Sequence, residues 1–284
     1  MDNLTISILS RAGGRAENQD SFGSCPTEHG YLVVVCDGMG GAKGGSAASK
    51  LAVETILDKV SNTTLDDAGE ILADAIIKAN SAVYQAGRTY PELQGMGTTV
   101  VALLVDDDKA TAAHVGDSRI YQVRGTDKVF RTFDHSMVFE LVRRGRISEE
   151  QARLSAESNV ILRALGTKPD VEVEINTDLP YLKGDRFLLC SDGICGAAPE
   201  KDILKLIGKD RSVEKTAEIL VETIDNLGIE KGGGHDNLTA ALIELNTNSK
   251  IPPQMNKKNK IIIGILAILL IISIGLNIWG LVMH

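Results

Sequence analysis

Positive charge is the first thing this sequence is short of. Against 38 Asp and Glu stand 30 Lys and Arg, a net charge of −8. Beyond Lys250 the only charged residues are Lys257, Lys258 and Lys260. The chain before them is therefore more acidic than the total. Such a domain repels nucleic acid, whose binding depends on neutralising phosphates, so no nucleic-acid partner is expected. It suits divalent cations wherever carboxylates converge. Cysteine is also sparse. Cys25, Cys36, Cys190 and Cys195 form no C-x-x-C pair and no zinc spacing. Cys36 and Cys190 lie in apolar runs, as reduced thiols that behave as small core hydrophobes. Aromatics make up only 4%. Residues 1–11 lack a basic stretch followed by a long apolar one, so no signal peptide is expected.

The composition is otherwise that of a globular protein, 43% hydrophobic and 24% charged. Its 284 residues allow one large domain or two small ones. Residues 261–283 carry no charge at all. At about 1.5 Å per residue they would span a hydrocarbon core of roughly 30 Å. Trp279 suits the far interface and the three lysines the cytoplasmic side. A buried core helix rarely runs so long without a polar face. A single-pass membrane anchor is therefore expected, with the rest of the chain cytoplasmic at the inner membrane. Residues 246–260, rich in Asn, Lys and Pro, read as a linker. Residues 1–245 show no other break and no internal repeat, and read as one domain.

Within that domain, apolar periodicity predicts strands over 31–36, 98–105, 110–115, 119–123, 171–175, 186–190 and 238–245. It predicts helices over 46–60, 65–84, 138–143, 148–154, 203–207 and 213–227. Paired helices and runs of strands argue for an α+β class rather than strict β-α-β alternation, with helices packed outside an antiparallel sheet.

Aspartates recur beside these elements. Asp37, Asp117 and Asp192 each follow an apolar run and sit near glycine; Asp236 follows three glycines and precedes a strand; Asp20 follows Asn18-Gln19. One Asp-Gly turn is ordinary loop chemistry. Several carboxylates held at strand ends would repel one another unless cations sat between them. Oxygen-only ligands select hard ions such as Mg²⁺ or Mn²⁺, and a pair of such ions can activate water for in-line attack on phosphorus. Other templates fail. Lys43 follows Ala42, so residues 38–45 form no P-loop, and there is no G-x-S-x-G elbow or H-E-x-x-H.

The motifs then fall in a telling order: Arg15-x-x-Asn18-Gln19-Asp20-Ser21, Asp37-Gly38-Met39-Gly40-Gly41, Gly97-Thr98-Thr99, Val115-Gly116-Asp117-Ser118-Arg119, Asp134-His135-Ser136, Ser191-Asp192-Gly193 and Asp236-Asn237. Together they closely resemble the metal-dependent protein phosphatases, the PPM or type 2C family, in its bacterial form, over roughly residues 5–245. The resemblance implies a four-layer sandwich of two antiparallel β-sheets flanked by helix pairs. It implies hydrolysis of phosphoserine and phosphothreonine in proteins by water activated between two Mn²⁺ or Mg²⁺ ions. Asp37 would bridge the two ions, and Asp192 and Asp236 would complete the first. The Gly38 carbonyl would hold the second, with Asp20 joining through water. Asp117, with Asp192, would hold a third, weaker ion. Arg15 would pair with the substrate phosphate, so Arg15 and Asp37 are the expected catalytic residues, and Asn237 would orient its neighbours. Phosphorylated proteins are the implied partners, with a membrane serine/threonine kinase of opposing activity beside them.

Two positions depart from the family. Gln19 stands where Glu is common, and Met39 where many eukaryotic members have a proton-donating His. Many bacterial members share both changes. Residues 143–165 match the family's mobile flap, and Arg143, Arg144, Arg146 and Arg153 concentrate there. They would either attract phosphoprotein or form solvated helix faces. His114 reads as structural and His135 as a helix cap. Two rivals stand beside the leading reading: a catalytically weak regulator that binds phosphoproteins, and a phosphatase dedicated to one signalling target.

Overall fold

The computed structural model describes residues 3–208 and 210–250. The expected anchor, 261–283, lies outside the described residues. Among the described residues no helix is long and apolar enough to cross a membrane.

The chain opens with strands β1 (Leu4–Arg11), β2 (Asp20–Thr27) and β3 (Gly30–Met39), followed by helices α1 (Gly41–Ser61) and α2 (Ala68–Thr89). A run of strands follows: β4 (Gly97–Thr98), β5 (Val100–Val105), β6 (Ala110–Val115), β7 (Arg119–Arg124) and β8 (Asp127–Arg131). Short helices α3 (Met137–Arg143) and α4 (Glu149–Arg153) precede β9 (Glu174–Leu179) and β10 (Arg186–Cys190). The one-turn α5 (Asp192–Cys195), then α6 (Glu200–Ile207) and α7 (Val213–Glu230), lead to β11 (Leu238–Leu245).

The strands form two sheets, in the orders β1-β11-β10-β7-β8 and β2-β3-β5-β6-β9, with β4 paired to β3. Every pairing is antiparallel. Strand periodicity divides the side chains between two faces. Along β3, Val33 and Val35 enter the core between the sheets, while Leu32, Val34 and Cys36 pack under α1 and α2. Along β10, Phe187 and Leu189 face inward, and Leu188 and Cys190 face α6 and α7. The central strands are buried on both faces, which is why they read as unbroken apolar runs. The result is the expected α+β sandwich of two antiparallel sheets with helices outside.

The sequence reading departs from the structure at several strands. It contains none of β1, β2 and β8. β2 carries Gly23 and Pro26 and has little intrinsic strand propensity; its ladder with β3 exists because the fold supplies the partner. The strand expected at 171–175 lies instead at Glu174–Leu179, while Val171 and Val173 pack against the α1–α2 core.

Residues beyond β11 remain tied to the domain. The Asn246 amide donates to the Asn3 carbonyl (2.8 Å), the Ser249 amide to that of Tyr181 (2.9 Å), and the Lys250 amide to that of Asp107 (3.1 Å). Leu245, where the domain was expected to end, is thus followed by five residues held at the end of the sandwich formed by the β5–β6 turn and the start of β1.

Candidate active site

At the other end of the sandwich the inward-facing layer turns from apolar to polar. Period 2 carries the inner face of β3 from Val33 and Val35 to Asp37, that of β11 from Ile243 and Ala241 to Thr239, and that of β1 from Ile6 and Ile8 to Ser10. The ladder between β2 and β3 sets Asp20 directly opposite Asp37. Like charges so placed destabilise a sheet. Asp192 opens α5 just past β10, Asp117 occupies the β6–β7 turn, and Asp236 precedes β11. Arg15, Asp37, Gly38, Asp117, Asp192 and Asp236 line one cleft of about 570 Å³. Asp20 does not reach its surface and lies buried below.

The backbone around Asp37 is clamped. Its amide donates to Thr99 Oγ1 (3.0 Å); its carbonyl accepts from Thr98 Oγ1 (2.8 Å) and the Thr99 amide (2.8 Å). Thr99 Oγ1 in turn meets Ser118 Oγ at 2.7 Å, beside Asp117. Close backbone approach dictates two glycines. A Cβ on Gly38 would lie 2.1 Å from the Gly45 carbonyl oxygen, and one on Gly193 2.0 Å from that of Asn237. Asn237 ties the N-terminal loop to β11, donating to the carbonyls of Ala12 and Glu17 and accepting from the Gln19 amide. That is the orienting role expected of it.

Ser191 stands in the Ser191-Asp192-Gly193 motif, but the sequence reading gives it no role. It occupies the N-cap of α5 but makes no side-chain capping bond. Its hydroxyl donates instead to Asp20 Oδ2 (2.7 Å) and accepts from the Thr239 amide (3.1 Å). Thr239 supplies a second hydroxyl to Asp20 and itself meets Ser10 Oγ at 2.7 Å. This buried hydroxyl layer joins the two sheets and fixes one oxygen of Asp20. The other, Oδ1, is buried without a partner, as is Asp192 Oδ1.

The electrostatics follow. Burial raises the Asp20 carboxyl from 3.8 to about 6; the Thr239 and Ser191 hydroxyls oppose the rise, and Asp192 and Asp236 add to it. Burial also pushes Asp37 well up, with repulsion from Asp192 and Asp20, and Asp117 well up, with repulsion from Asp192. Asp192 is raised by burial and then by Asp236. Buried unpartnered carboxylate oxygens, in a set that resists holding its own charge, fit a hard divalent cation, which would complete those oxygens and offset the repulsion.

Arg15 rests on Asp236 Oδ2 at 3.1 Å, both side chains about half exposed. The Gln19 side chain donates to the Gly41 carbonyl. The basic character expected of 143–165 is reduced in part: Arg143 and Arg144 share Glu140, and Arg153 pairs with Glu150. The cap expected of His135 belongs to Ser136, which caps α3. His135 Nδ1 accepts from the Gly116 amide (3.2 Å), holding the turn that carries Asp117. Its ring stacks on His114 (4.5 Å between centroids, 13° between planes), and its Nε2 donates to Glu174. Among the described residues, His114, His135 and Glu174 are the three whose ligand atoms gather within 4.8 Å. Nearly parallel rings do not aim their lone pairs at one point, so this is a structural brace, with His114 buried as expected.

Residues 10–242 match the family model for protein phosphatase 2C. The chain is 35% identical to the serine/threonine phosphatase stp of Listeria welshimeri over 241 residues, 83% of this chain and 93% of that protein. The crystal structure of the serine/threonine phosphatase Stp1 of Staphylococcus aureus superposes with a TM-score of 0.76 at 28% identity, covering 85% of this chain and 95% of that one. The catalytic domain of the serine threonine protein phosphatase PstP, solved with two manganese ions, superposes at 0.71 with 31% identity, covering 86% and 98%.

Two predictions follow from this geometry. Ser191→Ala removes one of the two hydroxyls that hold Asp20, and Mn²⁺ affinity measured by calorimetry falls about 10-fold, at the low end for partners that orient a ligand; unchanged affinity would show that the Ser191 hydroxyl does not set the site. The second concerns pH. In the metal-free protein the raised carboxyl of Asp20 opposes folding above about pH 6, and the penalty disappears towards 3.8 as the group protonates. Mn²⁺ needs the charged form. The Mn²⁺-induced rise in Tm is therefore largest above pH 6 and shrinks on acidification towards pH 5; a constant rise across that range would contradict the assignment.

Proposed function

The chain belongs to the protein phosphatase 2C family of serine/threonine protein phosphatases, and we propose that it removes phosphate from phosphoserine and phosphothreonine at the carboxylate cleft while tethered to the cytoplasmic face of the inner membrane. The observation that carries the chemistry is the convergence of Asp37, Asp117, Asp192 and Asp236 on one cleft beside Arg15. The family works with Mn²⁺ or Mg²⁺. In this reading Asp37, Asp192 and Asp236 hold one ion, Asp37 and the Gly38 carbonyl a second with Asp20 behind them, and Asp117 with Asp192 a weaker third. When bound, the ions supply Lewis-acid activation of water and charge compensation for the phosphate.

The protein's own groups do the rest. The Arg15–Asp236 pair is exposed, worth about 0–1 kcal/mol, and gives way readily. With Asp236 committed to holding a metal, the Arg15 guanidinium would take two phosphate oxygens and fix the phosphoryl group for in-line attack. The Thr98–Thr99 clamp keeps Asp37 from retreating as its charge is engaged. Met39 has no proton to give, and among the described residues no histidine lines this cleft, so a water or another group must protonate the leaving seryl or threonyl oxygen. The weak-regulator reading, by contrast, has no missing carboxylate to support it.

The tether rests on the uncharged run 261–283 and its lysine flank. The position of residues 246–250 supports it: they leave the domain at the end opposite the carboxylates. The tethered enzyme would act on cytoplasmic phosphoproteins, among them a membrane kinase.

Asp37→Asn or Asp192→Asn should lower turnover of a phosphothreonine peptide with saturating Mn²⁺ by more than about 100-fold, beyond the loss typical of an outer-shell partner. Wild-type turnover in either variant would sink the metal assignment. The full chain should sediment with membranes, whereas a chain ending at Lys250 should be soluble and equally active; a full chain soluble without detergent would dispose of the tether.

A further inference from the structure

The catalytic cleft opens into an annex of about 350 Å³ that shares Asp117, Asp192, Asp236 and Asn159 with it. Its walls differ in character from the carboxylate floor. Val138, Phe139 and Ala152 form the side contributed by α3 and α4; Ala197, Ile224 and Leu227 form the facing side, from the residues after α5 and from α7. The cations at its margin are engaged. Arg153 pairs with Glu150 at 2.6 Å, and Lys231 Nζ donates to the Ala197 carbonyl at 3.3 Å. Several chain neighbours of its lining are exposed large apolar residues: Met137 beside Val138, Leu154 beside Arg153, Val160 beside Asn159 and Ile229 beside Gly228. Leu154 is 68% exposed. Exposed apolar side chains concentrated beside an apolar recess mark a binding surface rather than scattered surface residues.

We propose that this annex is a substrate subsite that takes a large apolar side chain flanking the phosphorylated residue. The inference rests on the protein phosphatase activity and adds a sequence preference to it. The recess is continuous with the carboxylates, so a peptide whose phosphate sits among them passes its neighbouring residues over Asn159 into the apolar walls. Arg153 at its margin pairs with Glu150, and Arg143 and Arg144 share Glu140. The preference comes from burial of apolar surface in the recess. A recess of this size accepts Leu, Met or Phe, and an acidic side chain there would meet Asp117, Asp192 and Asp236 in the shared lining.

The test uses the full chain in detergent with saturating Mn²⁺ and a set of phosphothreonine peptides bearing Leu, Ala or Glu at each position next to the phosphorylated residue. A small aryl phosphate, too short to reach the annex, serves as reference. At one flanking position the Leu peptide should exceed the Ala and Glu peptides roughly tenfold in kcat/KM, the scale on which apolar pockets discriminate. Leu227→Glu should lower the ratio of Leu-peptide to aryl-phosphate kcat/KM by roughly the same factor. Ala197→Asp, on the same wall, makes the same measurement if Leu227→Glu does not fold. Equal efficiency for all peptides overturns the subsite and leaves the phosphatase reading standing. Hydrolysis of the aryl phosphate but of no peptide overturns both.

Discussion

Mutual repulsion among carboxylates that the fold will not let apart is the constraint on which this structure is organised. Asp20 and Asp37 are cross-strand partners, and Asp192 and Asp236 press on the same space from the other sheet. Each is set by backbone that cannot relax. Thr98 and Thr99 grip Asp37, Ser191 and Thr239 grip Asp20, and Asn237 locks the loop that carries Arg15 to the strand that follows Asp236. A site of this kind is costly to the metal-free protein and is repaid by cation binding, because strain that the scaffold prevents from dissipating becomes affinity for whatever neutralises it.

The two sheets divide the work. The β2–β3 side brings Asp20 and Asp37, and the β10–β11 side brings Asp192 and Asp236. Neither sheet holds a complete site. What aligns them is the inner layer, apolar for most of its length and hydroxyl-bearing at one end, where Ser10, Thr239 and Ser191 replace the side chains that fill the core elsewhere. The same alternation that packs Phe187 and Leu189 between the sheets therefore delivers the polar groups to the cleft. The opposite end receives residues 246–250, so chemistry and chain exit are separated by the length of the strands.

The segment over the cleft shows how charge counted along a sequence can mislead. Arg143, Arg144 and Arg153 look like a basic surface until Glu140 and Glu150 are found one turn away in the chain, Glu140 serving two of them.

From the sequence alone came the class of the fold, most of its central strands and long helices, and the four aspartates that line the cleft, because buried strands must be apolar runs and strand-end carboxylates recur against that background. The motif order supplied the family resemblance. β1, β2, Ser191's bond to Asp20 and His135's hold on the Asp117 turn were not legible. Each depends on a partner far away in the chain: β3 for β2, Asp20 for Ser191, Gly116 for His135. Local periodicity reports which face of an element is apolar. It does not report which element lies opposite, and that pairing is what turned separate acidic turns into one cation-binding cleft.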